Sequence, residues 1–259
     1  MEYSDFPDLH LQQAPVLTPQ MTTNRLKKSK DFCFSKYVIL GFSPFLYSYI
    51  KKEFSGVSTG YVNKLFPYYT FKFDSQLITF QFPGLGAPLT GALLEESIAL
   101  GGEIFIFFGS TGILKEDIVQ DNLIIPSGAL RDEGTSFHYI QSGRYSYPDK
   151  HLMSLINKTF KKSGYVTHKG RVWTTDGVYR ETPSKIQKVK REGCIAVDME
   201  ASALFTIAKF HKKRIAGFFV PSDLVSLKGW KQYKSGNDKI KPVKLLHLAL
   251  DIIKQCRKE

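Results

Sequence analysis

The sequence predicts an α/β fold in which helices cover both faces of a largely parallel or mixed sheet. Short apolar runs alternate with segments of helical period along most of the chain. Runs such as 104–108 are continuously apolar, which is typical of strands that are covered on both faces. The 259 residues, of which 42% are hydrophobic and 23% charged, are enough to bury a core.

The individual elements follow from period and punctuation. Pro44 suits the first turn of a helix, and Asp74-Ser75 splits two β-rich runs into a hairpin. Gly101-Gly102 is a plausible helix end. The predicted order is strand 37–40, helix 44–53, strands 69–73 and 77–82, helix 89–100, strands 103–108 and 123–126, helices 149–163 and 183–191, strand 195–197, a helix from 201, strand 215–220 and a C-terminal helix over 245–253.

The ends of the chain differ in character. Residues 1–30 are polar, hold three prolines and show no period, so they predict a flexible N-terminal extension or one that lies along the surface. Residues 31–259 contain no repeat, low-complexity block or clear linker, so they predict a single domain.

Composition excludes several classes of protein. No apolar run is long enough to span a bilayer and the N-terminus lacks the features of a secretory signal, so we expect a cytoplasmic protein with no membrane partner. Cys33, Cys194 and Cys256 have neither a disulfide nor a zinc spacing, so no metal site is expected. The formal net charge is +12, but the lysines are scattered, which favours a solvated basic surface over a nucleic-acid site. Gly84-Leu85-Gly86 lacks the third glycine of a dinucleotide loop, so no cofactor is expected.

Four segments at predicted strand ends could carry chemistry, because ligands of such folds lie beyond the carboxyl ends of the strands. Two glycines and two hydroxyls make up Gly109–Gly112, which could equally be an ordinary tight turn. In the segment Asp198-Met199-Glu200, Asp198 could be a helix cap alone. Glu200 stands between an apolar strand and an apolar helix, and its carboxylate could accept hydrogen bonds from two vicinal sugar hydroxyls. Ser222-Asp223 could supply a general acid or a cap. The fourth segment, Arg131–His138, is charged and resembles a loop or hairpin.

Together, and in this order, these segments resemble the nucleoside phosphorylase superfamily, which includes uridine phosphorylase, hexameric purine nucleoside phosphorylase and the methylthioadenosine nucleosidases. The resemblance runs from about Tyr37 to the C-terminus, and the stretch Val197–Ala203 is its most specific part. It also takes in Gly86-Ala87-Pro88, and Thr174–Asp176 with Tyr179–Glu181. It implies a three-layer α/β/α sandwich around a mixed, partly barrel-like sheet, and a homo-oligomer (a dimer, a trimer of dimers or a hexamer).

The resemblance also implies roles. Glu200 resembles the glutamate that binds the ribose 2′- and 3′-hydroxyls, and Asp223 resembles the aspartate that protonates N7 of a purine; both are the expected catalytic residues. Protonating the base improves the leaving group, and polar or anionic groups around the ribose stabilise an oxocarbenium-like state. The implied groups are Met199, Glu200, Ser110 and Asp198 for ribose, Thr175, Asp176, Asp223 and Ser222 for the base, and Gly41, Ser43, Gly109, Ser110, Thr111 and Arg131 for phosphate or another acceptor.

The family pattern is broken where phosphate would bind. An arginine usually stands two residues before Gly109, but here that residue is Phe107. The loop Gly41–Leu46 has no arginine, and neither has the region near Tyr68-Tyr69. A desolvated phosphate dianion needs charge-assisted partners. The acceptor is therefore either inorganic phosphate bound by other cations, such as Arg131, or water.

These observations leave four hypotheses. The first is a nucleoside phosphorylase that releases ribose 1-phosphate and a base, for which Ser222-Asp223 favours a purine. The second is a nucleoside hydrolase on the same fold. The third is a non-catalytic nucleoside-binding or storage protein, against which the presence of both Glu200 and Asp223 argues. The fourth is a basic nucleic-acid-binding module, which salt-dependent binding to plain DNA would reveal.

Overall fold

The structure is a computed structural model that describes residues 13–30, 32–140, 143–233 and 241–256. Its strands form one mixed sheet, and most of its helices lie on the two faces of that sheet. The strands are β1 (Tyr37–Gly41), β2 (Val57–Gly60), β3 (Tyr68–Phe73), β4 (Gln76–Gln81), β5 (Ile104–Ile113), β6 (Leu123–Asp132), β7 (Tyr145–Ser146), β8 (Thr167–Thr175), β9 (Cys194–Asp198), β10 (Arg214–Ser226) and β11 (Gly229–Gln232). The helices are α1 (Pro19–Lys27), α2 (Leu46–Phe54), α3 (Ala87–Leu100), α4 (Lys150–Ser163), α5 (Pro183–Arg191), α6 (Ala201–Phe210) and α7 (Pro242–Cys256).

The sheet closes on itself over part of its width. The strand order is β11-β10-β6-β8-β9-β5-β1-β4-β3-β2, and β10 also pairs with β5. That extra pairing joins β5, β9, β8, β6 and β10 into a ring, while β1, β4, β3 and β2 continue as an open sheet. The prediction of a mixed, partly barrel-like sheet is therefore confirmed.

Helices cover the sheet from both sides, as predicted. Helices α2, α4 and α7 pack on one face together with Ile106 and Phe108 of β5. Helices α3 and α6 pack on the other face with Phe105 and Phe107. Because successive side chains of a strand point to opposite faces, the continuously apolar run 104–108 fills both layers of the core.

Local signals explain several boundaries. Asp74 and Ser75 have φ of 48° and 64°, the two positive values that a tight hairpin between β3 and β4 requires. Helix α3 ends at Gly101, whose φ of 118° is accessible to glycine. Helix α4 begins after Asp149, whose side chain accepts a hydrogen bond from the Leu152 amide.

Two strands run further than the apolar pattern indicated, so Gly109–Gly112 is not a turn and Ser222-Asp223 does not follow a strand. Strand β5 continues to Ile113 and β10 continues to Ser226, and the two pair in parallel almost throughout. Backbone hydrogen bonds between the strands hold this stretch together, and they do not depend on apolar side chains. For that reason the apolar pattern did not predict the polar C-terminal ends of β5 and β10.

Part of the predicted N-terminal extension is helical. Helix α1 starts at Pro19, and the hydroxyls of Thr22 and Thr23 donate to the carbonyl of Pro19. Thr23 is fully buried. Leu26 packs directly on Gly60, since a Cβ added at Gly60 would lie only 2.0 Å from Leu26 Cδ1. Packing of this kind can stabilise a short helix that has no clear sequence period. Residues 1–12 lie outside the described residues.

Within the described ranges, no helix combines the length and the apolar character needed to cross a bilayer.

Candidate active site

A cleft of about 800 Å³ opens beside β5, β9 and β10, which is a size that suits a small ligand. The residues predicted from the sequence that line it are Gly109, Ser110, Thr111, Asp198, Met199, Glu200, Ser222 and Asp223. They come from distant parts of the chain and meet because β5 pairs with β10 and with β9.

A one-residue bulge shapes the floor of the cleft. Pro221 pairs with Thr111 and Asp223 pairs with Gly112, so Ser222 is the extra residue of β10. Its hydroxyl oxygen lies 3.2 Å from the Thr111 carbonyl and closer to Asp223 Oδ1. A Cβ at Gly112 would lie 3.3 Å from Asp223 Oδ2, so the glycine lets this carboxylate approach the neighbouring strand closely.

Asp198 fixes the junction between β9 and α6. Its Oδ2 accepts hydrogen bonds from the amides of Glu200 at 3.1 Å and Ala201 at 2.6 Å. Its Oδ1 accepts from the Thr174 hydroxyl at 2.6 Å. Burial raises the pKa of Asp198 to about 6, although these donors lower it. Both oxygens of Asp198 are thus used inside the protein, as a helix cap uses them.

Glu200 is aimed from this junction across the cleft. Its Oε1 accepts a hydrogen bond from the Gly86 amide at 2.6 Å, just before α3 begins, and the residue is 7% exposed. Burial, and then the charge of Asp198, raise the pKa of Glu200 to about 8. With Met199 beside it in the cleft, this carboxyl group is placed to accept hydrogen bonds from a ligand with hydroxyl groups.

Asp223 is held on the opposite side by two donors. Its Oδ1 lies against the Ser222 hydroxyl, and its Oδ2 accepts from Trp230 Nε1 at 2.9 Å. Trp230 belongs to β11, which pairs with β10, and the residue lines the cleft while it is 66% exposed. An indole N–H can only donate, so this contact fixes the position of the Asp223 carboxyl group.

Sequence reasoning missed a fourth carboxyl group in the cleft. Glu181 lies in a stretch that carries the family resemblance, but the resemblance gave it no role. It stands at φ −75° and ψ 71° between Arg180 and Thr182, and the Thr182 amide donates to the Arg180 carbonyl at 2.9 Å, an inverse γ-turn. Burial, and then the charge of Asp223, raise the pKa of Glu181 to about 7. Trp230 was also missed, because a single aromatic residue in a lysine-rich stretch is a weak signal.

The cleft is acidic although the protein is strongly basic. Its carboxyl groups come from Glu181, Asp198, Glu200 and Asp223, whereas the formal net charge of the chain is +12. Within the part of the chain that the structure describes, no lysine, arginine or histidine lines it. Nor do the described residues contain a group of three or more His, Cys, Asp or Glu side chains arranged to hold a metal ion.

Several predicted site residues do not line the cleft. Gly41 ends β1 against the Phe80 ring, and the Ser43 amide donates to the Gly41 carbonyl. Thr175 is buried at the end of β8, and the exposed Asp176 accepts a hydrogen bond from the Gly134 amide at 2.9 Å. Asp176 acts on the cleft at a distance, since its charge contributes to the raised pKa of Glu200.

Arg131 lies away from the cleft, contrary to its expected place in an acceptor pocket. Its guanidinium donates to the Ser136 hydroxyl at 2.8 Å and to the carbonyls of Ile140 and Gly143 at 3.1 Å and 3.0 Å. It also stacks on Phe137, with 4.1 Å from its Cζ to the ring centroid. The donors of Arg131 thus satisfy part-buried carbonyls of the chain that follows it.

Phe107, which stands where the resemblance led us to expect an arginine, is part of the core. It is fully buried, and its ring contacts Phe205 and Phe219. A Cβ at Gly217 would lie 2.5 Å from the same ring. This space is filled by apolar packing and offers an anion no contact.

Comparison with known proteins agrees with this architecture. A model of the phosphorylase superfamily matches residues 36–238. Guanosine phosphorylase of Halorubrum lacusprofundi is 25% identical over 137 residues, which cover 53% of this chain and 57% of that protein. Uridine phosphorylase of Treponema pallidum is 28% identical over 190 residues, which cover 69% and 73% respectively. This chain therefore spans less than two thirds of the length of the first of these relatives.

Solved structures show the same fold. Uridine phosphorylase from Vibrio fischeri superposes with a TM-score of 0.74 at 25% identity, covering 87% of this chain and 93% of that one. AMP nucleosidase from Bacteroides thetaiotaomicron superposes with a TM-score of 0.76 at 20% identity, covering 93% and 98%, a likeness of fold alone. With a ring-closed mixed sheet of the same architecture, and with the family model matching most of its length, the chain belongs to the phosphorylase superfamily of nucleoside phosphorylases and nucleosidases.

Proposed function

We propose that this protein cleaves the N-glycosidic bond of a purine nucleoside, releases the free base and transfers the ribosyl group to water. The observation that carries the proposal is that the carboxyl groups of Glu200 and Asp223 line the same cleft. In this proposal Glu200 accepts hydrogen bonds from the ribose hydroxyls and Asp223 faces the base, and the lining of one cleft by both residues supports it. Polar and anionic groups around the sugar stabilise positive charge as the bond to the base breaks.

Water is the acceptor that the charge of the cleft favours. No lysine, arginine or histidine of the described residues lines it to bind a phosphate dianion, whereas water needs no cation. Phe42 also packs within 3.2 Å of the position that a Cβ of Gly109 would occupy, so an aromatic ring fills part of the region where phosphate is expected.

Phosphorolysis is the second candidate, because the curated relatives are named as phosphorylases. In that case Ser110 and Thr111 would lie nearest the anion, and inorganic phosphate would be a co-substrate. The cations would then have to come from outside the described lining of the cleft.

We include a homo-oligomer in the proposal, since Tyr179 and Trp230 at the cleft rim are 97% and 66% exposed. Light scattering would give the oligomeric state.

The deciding experiment is release of free base from purine and pyrimidine nucleosides, with and without inorganic phosphate. We expect release from purine nucleosides without phosphate, with free ribose as the second product. Release that requires phosphate and yields ribose 1-phosphate would establish the second candidate. The absence of release from every nucleoside would contradict both and favour a protein that only binds nucleosides.

Glu200→Gln tests the sugar site. We expect it to lower kcat/KM at least 100-fold, because a carboxamide provides one acceptor oxygen where the carboxylate provides two. Glu116→Gln is the matched control, since Glu116 is an exposed carboxylate whose ion-pair partner is Lys228 at 3.5 Å, and it does not line the cleft. Equal rates in the two variants would refute the role of Glu200.

A further inference from the structure

Trp230 is a large aromatic residue in a strand that adds little to the core. Strand β11 lies at one end of the sheet order, and all four of its residues are exposed. A tryptophan usually stabilises a fold by burying about 150–250 Å² of its surface, but this one is 66% exposed. Burial of the ring therefore gives little reason for a tryptophan at this position.

The register of the hairpin formed by β10 and β11 places Trp230 beside Asp223. Val225 pairs with Trp230, and Asp223 pairs with Gln232. Residues two apart on a strand share a face, so Trp230 and Asp223 are diagonal neighbours on one face of the hairpin. The indole Nε1 donates to Asp223 Oδ2 at 2.9 Å, an ordinary length for such a bond, and it is the only hydrogen-bonding group of the side chain.

Contacts at both ends of β11 hold the strand in place. The Ser226 hydroxyl donates to the Gly229 carbonyl at 3.0 Å in the turn before it. After it, the Tyr233 amide donates to the Ser222 carbonyl at 3.0 Å, and the Tyr233 hydroxyl donates to the Ile118 carbonyl at 2.8 Å. The backbone that carries the indole is thus fixed on both sides, as a side chain that positions another one requires.

The carboxyl group of Asp223 has few other contacts that could orient it. In the described part of the chain, its hydrogen-bond donors are the Ser222 hydroxyl at Oδ1 and the Trp230 indole at Oδ2. Ser222 is its neighbour in sequence, so Trp230 is the donor that ties this carboxyl group to a second strand. Asp198, by contrast, accepts from two amides and a hydroxyl and is 5% exposed. Without the indole N–H, the Asp223 carboxyl group could turn between rotamers.

We propose that Trp230 is a positioning residue, whose indole N–H sets the orientation in which the Asp223 carboxyl group meets the base. The inference rests on the proposed cleavage of a nucleoside, in which Asp223 faces the base. A group that is already held in its working orientation loses little freedom when the ligand binds, which lowers the barrier to reaction. Trp230 therefore acts on the rate through Asp223, and the stability of the fold does not depend on its N–H.

The kinetic test is Trp230→Phe, which removes the N–H and keeps an aromatic ring at the exposed position. With guanosine we expect kcat to fall about tenfold or more while KM stays within about threefold, because a small misplacement of a reacting group lowers the rate by this much. Tm should move by less than about 2 °C, since the ring is mostly exposed. An unchanged kcat, or a rise in KM alone, would overturn the proposal.

Trp173→Phe is the matched control, because Trp173 also donates its indole N–H to an aspartate, at 2.9 Å from Asp132 Oδ2. Trp173 is buried and does not line the cleft. We expect this variant to lower Tm and to leave kcat of the folded protein unchanged, the reverse of the result expected for Trp230→Phe.

A double-mutant cycle separates an action through Asp223 from a direct one. In an Asp223→Ala background, Trp230→Phe should change the residual kcat less than about twofold, because the carboxyl group that the indole orients is gone. A loss of the same size in both backgrounds would overturn the proposal, since Trp230 would then act independently of Asp223.

The contact can also be tested without turnover. The chain has two tryptophans, so the wild-type protein should give two indole N–H signals in a ¹H–¹⁵N NMR spectrum, and Trp230→Phe assigns them. Asp223→Ala should shift the Trp230 signal and leave that of Trp173 in place. An unshifted Trp230 signal would refute the contact, and with it the proposal, even if the enzyme is active. If the wild-type protein cleaves no nucleoside, a shifted signal would still establish the contact and would place the failure in the proposed function.

Discussion

The junction between β9 and α6 allows a sharp test of what Asp198 does. If it is a cap, as its contacts indicate, Asp198→Ala leaves three buried donors without their acceptor: the amides of Glu200 and Ala201 and the hydroxyl of Thr174. If instead it mainly binds ribose, the same change should lower activity and leave stability almost unchanged.

The magnitude follows from the contacts. Three hydrogen bonds at about 1–1.5 kcal/mol each contribute about 3–4.5 kcal/mol. Part of this is offset because burial penalises the carboxylate, as the raised pKa of Asp198 shows. We expect a net loss of about 2–4 kcal/mol in the free energy of unfolding, which corresponds to about 5–15 °C in Tm for a domain of this size. Asp198→Asn keeps one acceptor oxygen, so it should lose less than half as much.

The assay is thermal and urea unfolding of the two variants beside Asp176→Ala. Asp176 is an exposed aspartate that accepts one backbone hydrogen bond, from Gly134, so its removal should cost less than about 1 kcal/mol. If Asp198→Ala is no less stable than Asp176→Ala, the cap assignment is wrong. A loss of activity without a loss of stability would support the expectation that Asp198 binds ribose.

Three further predictions concern packing and charge. Gly217→Ala should lower the free energy of unfolding by about 1–3 kcal/mol, measured with urea, because the new methyl group meets the Phe107 ring. Phe107→Leu in the same background should restore part of this loss, and an unchanged free energy in Gly217→Ala would contradict the close contact. Arg131→Ala should destabilise by about 2–4 kcal/mol but leave kcat of the folded protein unchanged, and normal stability with altered kinetics would bring Arg131 back to the acceptor site. From pH 5 to pH 8 the wild type should lose stability relative to Glu200→Gln. The pKa of Glu200 is about 8 in the folded state and lower in the unfolded chain, so the folded state binds the proton more tightly and loses this advantage as the pH rises. A stability difference that is constant with pH would show that the carboxyl group is not perturbed.

The fold could be predicted because local hydrophobic patterns in the sequence indicate most of the core elements. The apolar run 104–108 and the helical spacing of residues 201–208 each mark one element, and their alternation along the chain marks the class. The polar ends of β5 and β10 could not be predicted in this way, since they are held by backbone pairing between Ser110 and Val220, which leaves no trace in the local pattern.

The candidate site divides in the same manner. Glu200 and Asp223 stand in short local motifs, and the structure brings both into one cleft. Glu181 lines the cleft because of the inverse γ-turn that precedes α5, so no local pattern singles it out. Arg131 shows the opposite case: its charge suggested an anion site, but the residue satisfies the carbonyls of a nearby loop.

The parallel pairing of β5 with β10 also bears on the order in which the molecule is made. Ser110 lies opposite Val220, so a loop of about a hundred residues must close before the two strands meet. Contacts so distant along the chain form slowly, and a ribosome delivers the N-terminal partner first. Until residues 214–226 are synthesised, β5 presents an apolar strand edge that no other strand of the described residues pairs with at that position. The strand that forms one side of the cleft thus pairs with a partner that is synthesised about a hundred residues after it.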